Sequence, residues 1–213
     1  MGSRMWMAVF CAGLALLPGC KQAPGLPYYN TADFTPVWKT GNSSAALHSI
    51  PAFSLTDQYN ATIDGNTLHG KMYIANFFFT SCGSICPVMT RNLLKVQRAF
   101  PADTMIAFLC HTVTPWIDST ARLQRYSEKY GMDNRWHLVT GSKASIYQLA
   151  RQGYFAEEAP GFYKDSTEFL HTEHVLLIDA GGHIRGVYNG TLELEADRLI
   201  SDIQVLKQEG ARD

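Results

Sequence analysis

The 213-residue sequence is poor in charge and carries no run of it: 18 Lys and Arg stand against 19 Asp and Glu, for a formal net charge of -1. Without a basic face there is nothing to neutralise a phosphate backbone, which excludes nucleic acid as a partner. Cysteine is scarce, with five in the chain. Long apolar runs are missing too: residues 5–17 are apolar, but too short to span a bilayer as a mature helix. What remains is an ordinary globular composition, 46% hydrophobic and 12% aromatic, sufficient for one domain with a substantial core plus extensions.

The N-terminus reads as a leader. Arg4 precedes the apolar stretch, and Leu17-Pro18-Gly19-Cys20 follows the pattern of a bacterial lipobox, in which the cysteine is lipidated and becomes the first residue. Pro18 stands where a small or aliphatic residue is usual. An ordinary cleaved signal or a short anchor is the alternative, and every version places the domain outside the cytoplasm. With Cys11 in the leader and Cys20 as the lipid site, Cys82, Cys86 and Cys110 are left for the folded part, too few for a disulfide scaffold. Cys110 ends the apolar run 105–110 and reads as a buried thiol acting as a small hydrophobe.

The expected organisation is a signal peptide over 1–19, a tether and irregular segment over 20–49, and one domain over 50–213. A hairpin is expected over 53–64 around Asp57-Gln58-Tyr59-Asn60. Residues 72–79 are nearly continuous in apolar and aromatic side chains, as in a central strand covered on both faces. Pro87 suits the first turn of the next helix, where Met89, Leu93, Val96 and Phe100 recur at helical spacing before Pro101. A strand over 105–110, a helix capped by Asp118 or Ser119 and stopped at Gly131, a short strand over 136–139 and a short helix over 145–151 follow. After an insertion over 153–170 come strands over 175–179 and 183–188 and a last amphipathic helix carrying Leu199, Ile200, Ile203 and Leu206. This order describes an α/β fold of thioredoxin type, a central mixed sheet flanked by helices, with an N-terminal hairpin and an insertion before the His-bearing strand.

The chemistry concentrates at the first strand-to-helix junction, Thr80-Ser81-Cys82-Gly83-Ser84-Ile85-Cys86-Pro87. Residues four apart meet at a helix start, so the two thiols suit either a disulfide or a soft metal ion. The helix N-terminus lowers a thiol pKa and favours both uses. The spacing is Cys-x-x-x-Cys, wider than the Cys-x-x-Cys of thioredoxin, which weakens the usual oxidoreductase reading. A permanent disulfide is disfavoured because so short a loop gains little from closure. A metal needs a third ligand, and seven histidines are available. His48 and His69 lie in polar segments, His137 and His183 within or beside strands, and His111 at a strand end on the expected active edge. His171 and His174 sit where the insertion enters its strand. Periodicity does not choose among them.

Thr80-x-Cys82-x-x-x-Cys86-Pro87, Thr112-Val113-Thr114-Pro115 with Asp118, the stretch 136–141, and His171-Thr172 followed by Leu177-Ile178-Asp179 and Gly182 together resemble the Sco/SenC family over about residues 50 to 206. These are thioredoxin-like copper proteins tied to cytochrome c oxidase assembly. The resemblance implies copper, as Cu(I) or Cu(II), held by Cys82, Cys86 and His171, with His171 rather than His174 matching the family's histidine. Gly83 stands where proline is common, and Thr114-Pro115 where Asp-Pro is common. The implied function is a metallochaperone of the cell envelope, anchored to the membrane through Cys20 and delivering copper to the oxidase's copper-binding subunit. The alternative is a thiol:disulfide reductase, with Cys82 and Cys86 as its redox pair, acting on that subunit's cysteines and on other envelope copper or thiol proteins. A peroxidase-like activity would leave the His171 motif without a use.

Overall fold

The computed structural model describes residues 25–39, 46–156 and 172–211. The leader with Cys20, most of the insertion, and His171 lie outside them.

Two short antiparallel ribbons come first, Tyr28–Tyr29 (β1) with Pro36–Val37 (β2) and Ser54–Thr56 (β3) with Thr62–Asp64 (β4). The second is the hairpin expected around residues 57–60. Its turn is held by the Asp57 carboxylate, whose Oδ1 accepts from the N–H groups of Tyr59 and Ala61 at 2.8 and 2.9 Å.

Met72–Phe78 (β5) leads through a loop into Ile85–Ala99 (α1), then Ile106–Thr112 (β6), Thr120–Tyr130 (α2), Trp136–Val139 (β7) and Lys143–Gln148 (α3). A π-helical turn, Leu149–Gly153, continues α3. His174–Ile178 (β8), Ile184–Asn189 (β9) and Glu193–Gly210 (α4) complete the chain. The five strands of the main sheet lie in the order β7-β6-β5-β8-β9. β5, β6 and β7 are parallel, while β8 runs antiparallel to β5 and β9 to β8. The expected mixed sheet is thus present, with β5 at its centre.

The pleat sends alternate side chains of β5 to opposite faces. Ile74 and Phe78 enter a cluster with Met89 and Leu93 of α1, Leu123 of α2 and Leu199 and Ile203 of α4. Tyr73, Ala75 and Phe77 enter the other, with Leu55 and Ile63 of the hairpin and Ile146 of α3. Cys110 is buried in the first cluster, and burial pushes its thiol pKa well above the ordinary range.

Two boundaries differ from the sequence reading because neighbours override local pattern. β6 runs on through His111 and Thr112, since the parallel register pairs them with Phe77 and Phe78. Ser119 sits at the N-cap of α2 but makes no side-chain cap bond, and the Asp118 carboxylate bonds to Thr80, Thr112 and Thr114 and pairs with Arg122 of α2 at 3.4 Å. Residues 25–39, which show no periodicity, lie against the body of the domain. Buried Arg185 of β9 reaches the carbonyls of Leu26 and Pro27 at 2.7 and 3.1 Å and stacks over the Tyr28 ring at 4.1 Å. Among the described residues no helix is long and apolar enough to cross a membrane.

Candidate metal and thiol site

β5 ends at Phe78 and α1 begins at Ile85, so the intervening loop carries Cys82 at the C-terminal edge of the central strand, and Cys86 is the second residue of α1. Both are free thiols, Cys82 half-buried and Cys86 buried. Their environments differ in sign. Burial works to raise the Cys82 pKa, but the backbone N–H groups of Cys86, Ser84 and Ile85 and the Cys86 thiol all point at its sulfur, and together they hold it below the ordinary value. These are the unpaired donors of a helix N-terminus, which favour a negative charge. Cys86 faces the core, and desolvation pushes its thiol up to about 12. One sulfur is poised to ionise; the other keeps its proton until a partner or a metal displaces it.

The loop is held from the side by Asp118, whose side chain is fully buried. Its Oδ2 accepts from the Thr80 N–H at 3.1 Å, the Thr112 hydroxyl at 2.6 Å and the Thr114 hydroxyl at 3.0 Å. Its Oδ1 accepts from the Thr80 hydroxyl at 2.5 Å. Arg122 closes the outer side, its Nε donating to Thr80 Oγ1 at 2.5 Å and its Nη2 to Ser81 Oγ at 2.9 Å. Sequence reasoning offered Asp118 or Ser119 as the cap of α2 and missed this role of Asp118. The available signal was the set of threonines at 80, 112 and 114, each at the C-terminal end of a strand that the topology brings to one edge.

Behind Cys86 lies a small cleft lined by Phe79, Ile85, Cys86, Val113 and Thr172. Thr172 is the first described residue after the insertion and follows His171 in the chain. Its hydroxyl accepts from the His174 N–H at 3.1 Å. Glu173 is clamped beyond it: Gly190 N–H donates to its carbonyl at 2.7 Å and Asn189 Nδ2 to its Oε2 at 2.6 Å. The structure therefore brings Cys82, Cys86 and the start of the β8 segment to one edge, while His171 itself lies outside the described residues.

Most other histidines have structural partners. His48 Nε2 donates to the Gly153 carbonyl at 2.7 Å, His183 Nδ1 to the His48 carbonyl at 2.8 Å, and His137 Nδ1 lies 3.3 Å from Asp57 Oδ2. His111 is stacked on Phe77 with centroids 4.9 Å apart, on the opposite face of β6 from Cys110. Burial lowers its pKa to about 4, and among the described residues its Nε2 has no hydrogen-bond partner. His174 meets the Phe34 ring edge-on at 5.3 Å. Among the described residues no three His, Cys, Asp or Glu side chains are close enough to hold a metal ion, so neither His111 nor His174 completes a site with the two thiols.

The SCO1/SenC family model matches residues 41–208. Three solved structures are similar. A SCO1/SenC family lipoprotein from Bacillus anthracis str. Ames is 26% identical with a TM-score of 0.66, over 75% of this chain and 95% of that one. BsSco, a member of the Sco family of cytochrome c oxidase assembly proteins in which a disulfide switch was identified, is 24% identical with a TM-score of 0.63, over 75% and 93%. Copper-bound ScoI of Bradyrhizobium japonicum is 22% identical with a TM-score of 0.60, over 75% and 99%.

Proposed function

Because this chain belongs to the SCO1/SenC family, we propose that it is a copper-binding metallochaperone of the cell envelope that serves cytochrome c oxidase assembly, handing copper to the oxidase's copper-binding subunit. Its ligands in this reading are Cys82, Cys86 and His171. The observation that carries it is the meeting, at one sheet edge, of two free thiols with the segment that His171 introduces, Thr172 lining the cleft behind Cys86. Two thiolates and an imidazole suit Cu(I), and three protein ligands leave a position open to an acceptor's ligand. Structural zinc would ask for a fourth ligand, and the described residues offer none. A lipid on Cys20 would keep the site beside membrane-bound acceptors; the lipoprotein of B. anthracis supports that placement.

Anaerobic titration of the reduced protein with Cu(I), against a competing chelator, tests the ligand set. The expected result is one copper bound, with affinity reduced at least tenfold in His171→Ala and lost in Cys82→Ser and Cys86→Ser. Parental affinity in His171→Ala would refute the three-ligand site.

The unequal thiols favour a second activity for the same pair, reduction of an acceptor's disulfide. Cys82 would attack as thiolate, forming a mixed disulfide and releasing one partner thiolate, and Cys86 would then displace the second partner sulfur, leaving Cys82 and Cys86 oxidised. Cys86→Ser should trap the mixed disulfide. A Cys82–Cys86 potential well above that of the acceptor's disulfide would rule this activity out, since electrons would then not pass from Cys82 and Cys86 to the acceptor.

A further inference from the structure

We propose that Asp118 is a positioning residue of the thiol site, setting the placement of Cys82 through Thr80. This rests on the reading of Cys82 and Cys86 as the working pair. Asp118 lies 38 positions from Thr80, on the β6–α2 connection, yet spends both carboxylate oxygens on the far loop and its supports rather than on capping α2. Thr80 is gripped at two points, main-chain N–H and hydroxyl, so its backbone as well as its side chain is located two residues before Cys82. On the other side of Cys82 the loop faces open space: a Cβ built on Gly83 meets no atom within 4 Å. Apart from its packing against the core, the polar hold on the approach to Cys82 among the described residues comes from Asp118 through Thr80, with Arg122 bracing the Thr80 and Ser81 hydroxyls from solvent.

A carboxylate suits these partners best. The converging groups are all donors, and an ionised carboxylate accepts on both oxygens, whereas an amide of the same shape would turn an NH2 toward hydroxyls and a guanidinium. Asp118→Asn should therefore release one side of the grip while keeping the volume. Partners that orient ligand-bearing groups in this way typically govern metal affinity by 10- to 100-fold.

Thr80→Val, which keeps the branched shape but removes the hydroxyl, should weaken Cu(I) binding about tenfold and shift the thiolate-to-Cu(II) charge-transfer band. Thr80→Ser should restore both, and Asp118→Asn should match Thr80→Val. If Thr80→Val and Asp118→Asn keep the parental band and bind Cu(I) within about twofold of the parent while losing only thermal stability, Asp118 merely braces the fold and the proposal fails. Thr80→Val alone decides if Asp118→Asn does not fold. A parent that binds no copper would overturn the proposed function instead. In that case the Cys82–Cys86 disulfide equilibrium decides: Thr80→Val should move it about tenfold, or ~30 mV, and an unmoved potential would sink the positioning role.

Discussion

Cys82 lies in the loop just before α1 and Cys86 in the first turn of that helix, and yet they do opposite things with a proton. The difference lies in direction: the Cys82 sulfur looks back along the unpaired N–H groups, while Cys86 looks into the core. At neutral pH, iodoacetamide should modify Cys86→Ser at its remaining Cys82 at least tenfold faster than Cys82→Ser at Cys86, since only the thiolate reacts; equal rates would contradict the asymmetry. His111 supplies a second residue-scale prediction. Folded, it gains a proton near pH 4, whereas the ordinary imidazole value is 6.5. Between those values the unfolded chain binds the extra proton. Stability is therefore intact above about pH 6.5 and falls as pH drops toward 4, by about 3 kcal/mol at most. Urea midpoints between pH 7 and 4.5 should fall less steeply for His111→Leu than for the parent.

At the scale of elements, β5 and α1 were legible because an apolar run and a 3.6-residue period each report a face that must be buried. The N-terminal segment was not, because it has no period: Leu26, Tyr29 and Phe34 pack against the core from irregular positions, and its backbone is held by polar contacts to residues far along the chain. Arg185 supplies most of them, pairing also with Asp179 at 3.2 Å and Glu209 at 2.6 Å. Replacing this buried cation by Leu strands two carboxylates and frees the Leu26 and Pro27 carbonyls, and should cost about 3–5 kcal/mol. Limited proteolysis of Arg185→Leu should then open residues 25–39 ahead of the main sheet; simultaneous cleavage of both would mean the segment is integral to the core. The edge strand β7 shows the same dependence. Its outer backbone is completed by a side chain, Gln58, which donates to the Trp136 carbonyl and accepts from the Leu138 N–H, both at 2.7 Å.

For the whole molecule, topology decides what meets what. Three parallel strands deliver their C-terminal ends to one edge, and with them Cys82, the Thr112–Thr114 turn and the start of α2, while antiparallel β8 begins at that same edge. A ligand drawn from both the β5–α1 loop and the segment entering β8 would bind the folded chain and not the unfolded one, so copper should act as a stabiliser. At a free Cu(I) concentration about 100 times Kd the gain is about 2.7 kcal/mol. Thermal melts should rise with Cu(I) for the reduced protein, rise less for His171→Ala, and stay put for the oxidised Cys82–Cys86 disulfide. A melt raised equally in oxidised protein would place the copper elsewhere.

The sequence alone determined the fold class, the two thiols and their helix start, because these depend on neighbours within a few residues, where periodicity and capping geometry act. It also marked Cys110 as core, since an apolar strand buries whatever it contains. Only the tertiary structure decided the rest. Asp118 looked like a cap because its partner Thr80 lies a helix and a strand away, and a carboxylate cannot announce at a distance which donors will converge on it. The unequal titration of Cys82 and Cys86 likewise depends on where each sulfur points. The histidines, alike as letters, were sorted by what surrounds them: His48, His137 and His183 were taken up by partners that only the packed fold supplies.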